Sequence, residues 1–259
     1  GEQNPSFIRR GLSRKVTPLI ILTFLGLIII AMRLYTYNEP FERDITSHAV
    51  IGHELTQGRE LYSDLWDSKP PAIFVTYAFF DFLFGYGPSQ VFFLGITAAL
   101  VTLGGVYLAG KAYAGQLGGI WAGVFWTFIC SDLWLWANQP NIEVCINSCL
   151  VWAFLLMITS RMDRIELGRW AGIGGLFALA TLYKPVAVTF AVLLIATHLL
   201  LYLWNKKSRK TVLFQFFAAG SSAVIIWGCV FGYFVITGRF EVFYDTMVTY
   251  ASYYAESRG

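Results

Sequence analysis

The sequence predicts an all-α membrane protein with about seven transmembrane helices and interfacial or re-entrant helices in its first extracytoplasmic loop. Three observations predict it. Over 259 residues, 56% are hydrophobic, 17% aromatic and only 14% charged, far from the mix of a soluble domain. The apolar residues fall in blocks of roughly 20, the length a helix needs to cross about 30 Å of hydrocarbon, and short charged or Gly/Pro-containing stretches separate them. Such blocks suit helices rather than the alternating strands of a barrel.

Eight apolar blocks are marked in order: Val16–Tyr35, Pro71–Phe84, Val91–Ala109, Gln116–Ala137, Ile142–Ser160, Trp170–Tyr183, Pro185–Trp204 and Val212–Thr237. The first is too long for a cleavable leader and lacks a small-residue cleavage site, so it reads as a retained anchor behind a basic cytoplasmic tail, residues 1–15. The second and sixth are short, and positive charge decides between them. If Pro71–Phe84 crossed, "RMDRIELGR" (Arg161–Arg169) and "NKKSRK" (Asn205–Lys210) would face outward while the basic tail stayed inside. If Pro71–Phe84 is re-entrant or interfacial, every basic loop, Lys111 included, is cytoplasmic. Seven spans with the N-terminus inside therefore follow, forming a transmembrane module over residues 16–237. The outer face then receives an extracytoplasmic loop (36–85), the turn "NQPNIE", the turn "YKP" and residues 238–259, the start of a further outer segment expected to belong to a longer protein. Cys130, Cys145, Cys149 and Cys229 lie in or beside apolar blocks and read as small packing residues.

The first outer loop has internal order. "DITSHAVIGHEL" (Asp44–Leu55) spaces Ile45, Ala49, Ile51 and Leu55 near helical periodicity, with Asp44 suited to an N-cap, and predicts an amphipathic helix on the outer interface. Gly58 in "TQGREL" marks its end. "DLWDSKPP" (Asp64–Pro71) then leads into the non-crossing apolar segment, its prolines ending one element and starting the next. His48 and His53, at an i, i+5 spacing poor for a shared metal, read as interface residues. Trp134 and Trp136 read as an aromatic belt, and Asp132 beside them as an additional polar contact.

"FERDITSHAVIGHELTQGRELYSDLWDSKPPAIFVTYAFFDFLFG" resembles the first extracytoplasmic loop of the GT-C superfamily of integral-membrane glycosyltransferases. The nearest groups are the bacterial relatives of dolichyl-phosphate-mannose protein mannosyltransferases and the lipid A aminoarabinose transferases. Several motifs in the right order carry the resemblance: the "ERD" stretch after the first span, "G..LY.D....KPP", the basic inner turn "AGKAYAGQLGG", an outer "N.E" element (Asn141, Glu143), and "LATLYKPVAV" in place of the family's "TKGP". The resemblance implies that Asp44 is the catalytic base, that Lys69 meets the phosphate of a lipid-linked donor, and that Glu143 and Lys184 line the substrate site. The companion of the base is usually Glu, whereas this chain has Ile45, and Glu42 is the carboxylate nearest to it in sequence. An acidic residue near Asp64 is common in the family and is a substrate-binding candidate.

The chemistry asks for these residue types. Transfer to a hydroxyl needs a carboxylate to take the proton, and a departing lipid phosphate needs cationic stabilisation. The expected function is transfer of a sugar from a polyprenyl-phosphate donor to a protein, lipid or glycan acceptor on the extracytoplasmic side. The expected partners are that lipid-linked sugar, membrane lipid and the acceptor, with no nucleic acid. No cofactor is required, although hard carboxylate oxygens such as those of Asp44, Asp64 and Glu143 also suit a divalent metal. A GT-C-like scaffold or assembly subunit, impaired in catalysis and joined to partner subunits of a membrane complex, is the alternative, motivated by Ile45 and the short chain. A transporter fits less well, because no internal repeat is evident.

Overall fold

The structure, a computed structural model, describes residues 5–135, 137–161, 164–204 and 209–256. Those residues form helices α1 (Pro5–Tyr35), α2 (Arg43–Thr56), α3 (Ala72–Phe84), α4 (Pro88–Ile129), α5 (Ile142–Ile158), α6 (Leu167–Tyr183), α7 (Ala187–Trp204), α8 (Arg209–Ile236), α9 (Phe240–Tyr244), a π-helical turn (Asp245–Thr249) and α10 (Tyr250–Glu256). The all-helical class is as the sequence predicts.

Among the described residues, three segments are long and apolar enough to cross a membrane: Pro18–Tyr35, Pro88–Ile129 and Lys210–Ile236. The second is a hairpin rather than one rod. At Ala114–Gly115 the backbone leaves helical geometry, and Gly115 takes φ +72°, a left-handed conformation that glycine reaches without a Cβ clash. The two arms then run back against each other. Trp126 Nε1 donates to the Ala99 carbonyl at 2.9 Å, and Gln116 Nε2 to the Tyr107 hydroxyl at 3.0 Å. Helices α5 and α6, at 17 residues each, reach about 26 Å at 1.5 Å per residue. α3, at 13 residues, reaches only about 20 Å, too short for the hydrocarbon core.

Side-chain bonds sort the helix ends into two groups. At one end, Arg33 on α1 donates to the Cys130, Ala137 and Asn138 carbonyls, Lys184 after α6 pairs with Glu143 on α5, and Arg239 after α8 pairs with Glu60. The carboxylate-rich loop 36–71 packs on this end. At the other end lie the α4 hairpin with Lys111 and the basic stretch before α6, where Gln215 of α8 donates to the Arg164 carbonyl at 3.3 Å. Among the described residues, the carboxylate-rich loop thus lies at the opposite end of the bundle from Lys111 and the basic stretch before α6. Asn205–Ser208 of the basic "NKKSRK" and Trp136 lie outside the described residues.

α2 lies against α3 at one close approach. A Cβ on Gly52 would stand 2.6 Å from the Tyr77 Cβ and 2.8 Å from the Ala78 backbone nitrogen, so only glycine lets the backbones meet there. Around this contact Ile45, Ala49, Ile73, Phe74, Tyr77, Ile146 and Tyr183 form the largest apolar cluster. The Asp81 carboxylate, itself buried, accepts from Thr56 Oγ1 at 2.9 Å and pairs with His53 Nδ1 at 2.9 Å, which fixes the far end of α2. Cys130, Cys145 and Cys149 are buried free thiols, in keeping with a packing role.

Two local expectations are corrected. α2 begins at Arg43, not after Asp44, because the Glu42 side chain accepts from the Asp44 backbone N–H at 2.8 Å and is itself the N-cap. His48 is no interface residue: it is 1% exposed, on the buried face of α2.

Candidate functional site

The acidic end carries a cleft of about 580 Å³ between the α2 N-terminus, the "SKP" stretch, the start of α5 and the end of α6. Glu42, Asp44, Lys69, Glu143 and Lys184 all line it. Five of the six residues expected from the sequence are therefore brought to one place from positions 42 to 184.

Each is positioned by local structure. Because Glu42 caps α2, Asp44 sits in the first turn, where a carboxylate meets the positive end of the helix dipole and remains 42% exposed on its side chain. Gln139 holds the cap in place: its Oε1 accepts from the Glu42 N–H at 3.0 Å, and its Nε2 donates to the Pro40 carbonyl at 3.2 Å. Lys69 Nζ lies 3.5 Å from Asp44 Oδ2 and 3.6 Å from Asp67 Oδ2.

The backbone of Lys69 is clamped on both sides. Its N–H donates to Asp67 Oδ1 at 3.1 Å, and its carbonyl accepts from the Tyr62 hydroxyl at 2.8 Å. Tyr62 is a buried residue at φ +71°, a strained conformation for a bulky side chain, and its ring packs on Phe234 and Phe243. The strain is held by the bond from its own N–H to the Leu65 carbonyl at 2.8 Å. Asp67, unexplained by sequence alone, is thus part of the mount for Lys69.

Across the cleft Asn141 caps α5, its Oδ1 accepting from the Val144 N–H at 3.1 Å. Opposite it, Lys184 Nζ donates to Glu143 Oε1 at 2.7 Å. Lys184 stands at the α6 C-cap in extended conformation. The next residue inward, Tyr183, shares a 2.7 Å hydrogen bond with Thr76 Oγ1 of α3. Behind that bond lies a second groove of about 720 Å³, mostly apolar, between α3, α6 and α8, with Arg239 and Glu60 at its rim.

Asp64 is not brought to the cleft. Its carboxylate accepts from the Glu60 N–H at 2.9 Å and closes the turn over residues 60–64. Asp132 likewise accepts from the Trp134 and Leu135 N–H groups and shapes a turn. Trp134 stands almost fully exposed. Ile45, at the position of the expected second carboxylate, is 1% exposed and belongs to the apolar cluster, so the carboxylate beside Asp44 is that of Glu42. Among the described residues no group of three or more His, Cys, Asp or Glu side chains is arranged to hold a metal ion.

Sequence reasoning missed His48. It lines the cleft one helical turn after Asp44, an i, i+4 spacing that puts both residues on one face of α2.

No family model and no curated protein sequence matches this chain.

Proposed function

We propose that this chain is the transmembrane module of a glycosyltransferase of GT-C type, which moves a sugar from a polyprenyl-phosphate donor to an acceptor hydroxyl on the extracytoplasmic side of a cell membrane. The observation that carries this reading is the pairing, in one cleft, of the exposed Asp44 carboxylate with Lys69 at 3.5 Å, opposite Lys184. A base and cations within one sugar-sized space meet the requirements of the reaction at both of its ends.

In this reading the acceptor O–H gives its proton to Asp44 as its oxygen bonds the anomeric carbon. The anomeric carbon–oxygen bond breaks on the opposite face, and the electron pair leaves with the polyprenyl phosphate, whose charge Lys69 and Lys184 stabilise. Direct displacement inverts the anomeric carbon. The apolar groove behind Thr76 and Tyr183 supports a donor whose tail stays in lipid while its head reaches the polar cleft. Seven crossings, with α3 lying in the interface and the basic loops cytoplasmic, go with this reading: the segregation of acidic and basic ends supports it.

A scaffold subunit without catalysis is the second reading, and buried Ile45 in place of an acidic companion favours it. Reconstitution of the protein in nanodiscs with radiolabelled polyprenyl-phosphate hexoses and pentoses separates the two. Release of free polyprenyl phosphate supports the transferase; no release with any donor supports the scaffold.

A further inference from the structure

His48 is a titratable side chain of the cleft that the proposed chemistry does not use, and its environment is unusual. The residue is 1% exposed, and neither Nδ1 nor Nε2 has a hydrogen-bond partner within the protein. Its ring is walled by Phe74 at 5.8 Å and Tyr77 at 5.7 Å between centroids, both on α3, and the same residue contributes to the cleft lining. A buried polar group without a partner is destabilising, so an imidazole with both nitrogens unmatched is poor core filling. Its neighbour Ile45 shows what the same helix face carries where packing alone matters.

Burial pushes the His48 imidazole down to about 4; the nearby Lys69 charge adds to this, and Asp44 and Glu143 oppose it. The ring is therefore neutral near pH 7, and a neutral imidazole offers one N–H donor and one acceptor nitrogen. A hydroxyl group is the ligand chemistry that matches such a pair, since it both donates and accepts. A phosphate, which needs donors only, matches Lys69 and Lys184 instead.

Building on the transferase reading, we propose that His48 is a specificity-determining residue that hydrogen-bonds a ring hydroxyl of the transferred sugar at the floor of the cleft. Sites built to bond a substrate hydroxyl reject analogues that lack it far more strongly than apolar pockets reject a missing methylene, because the site's own polar group is left unpaired. His48 thus sets which sugar is accepted, while Asp44 and the lysines serve the transfer itself.

The test measures kcat/KM of the wild-type protein, His48→Phe and His48→Gln in nanodiscs with a panel of hexosyl and pentosyl polyprenyl phosphates. For the best donor, the singly deoxygenated analogues are measured too. Phe keeps an aromatic volume without polar atoms, and Gln restores a donor and an acceptor. The expected result is that one deoxy position costs the wild type about 10- to 100-fold, that His48→Phe loses as much on the parent sugar yet does not distinguish that deoxy analogue, and that His48→Gln recovers part of the discrimination. A His48→Phe variant that lowers every donor equally, or none, overturns this inference alone. Absence of turnover by the wild type with every donor overturns the transferase reading and this inference with it.

Discussion

Lys69 Nζ stands 3.5 Å from Asp44 Oδ2, joining the first turn of α2 to the loop that leads into α3. The two are 25 residues apart in the chain, and their meeting depends on two further contacts. Gly52 lets α2 lie flat on α3, and the Tyr62 hydroxyl holds the Lys69 carbonyl at 2.8 Å. With Asp44 42% and Lys69 25% exposed on their side chains, the pair adds little to stability, since exposed pairs contribute about 0 to 1 kcal/mol.

Removing a cation from the cleft therefore changes binding, not stability. Lys69→Met and Lys184→Met are each expected to raise the KM for a polyprenyl-phosphate donor roughly 10- to 100-fold, the range of a lost charge-assisted hydrogen bond. Melting temperatures in detergent stay within about 2 °C of wild type. Donor-concentration series and thermal melts of the same preparations check both halves of the statement.

Tyr62→Phe isolates positioning from charge. The substitution keeps the ring between Phe234 and Phe243 but removes the hydroxyl that bonds the Lys69 carbonyl. Donor KM is expected to rise about 3- to 10-fold with folding intact, at a cost of about 1 kcal/mol. An unchanged KM shows that Asp67 alone is enough to hold the lysine.

Gly52→Ala tests the foundation of the site. The added methyl would stand 2.6 Å from the Tyr77 Cβ and under 3.0 Å from backbone atoms, so α2 must lift off α3. Overpacking of this kind costs about 1–3 kcal/mol, and in this case it also displaces Asp44. Lower thermal stability together with at least tenfold lower turnover is the expected pair of effects.

Acid sensitivity follows from His48, with Lys69, Asp44 and Glu143 as the charges around it. Its folded-state value of about 4 lies below the ordinary 6.5, so between those values the unfolded chain binds a proton that the native chain does not. Native stability is fully present above pH 6.5 and falls as the pH drops towards 4, by on the order of 3 kcal/mol from this group. His48→Phe removes that component, so the difference in melting temperature between variant and wild type widens in favour of the variant from pH 7 to pH 4.5. A constant difference contradicts the neutral, buried imidazole.

Much of this arrangement was legible in the sequence. Apolar block length and loop charge gave the helical class and the separation of acidic from basic ends, which in turn forces Asp44, Lys69, Glu143 and Lys184 towards one face. Local chemistry was harder to read. Glu42 and Asp44 both suit an N-cap for α2, and only the bond from the Asp44 N–H to Glu42 decides between them. The turn that Asp64 closes with Glu60 has no local pattern to announce it. His53 pairs with Asp81 across 28 positions, a contact that no local pattern announces. The positive φ at Tyr62 likewise has no signal, since a tyrosine rarely adopts it.

In the proposed reaction Asp44 takes the acceptor proton. Asp44→Asn keeps the side-chain size but lacks the basic carboxylate, and the carboxylate's partial exposure leaves folding little affected. Turnover of a radiolabelled polyprenyl-phosphate sugar is the measurement, made on wild type and Asp44→Asn side by side. A fall of about 10²- to 10⁴-fold with donor binding retained is the predicted result. Equal turnover by the two proteins would contradict the account.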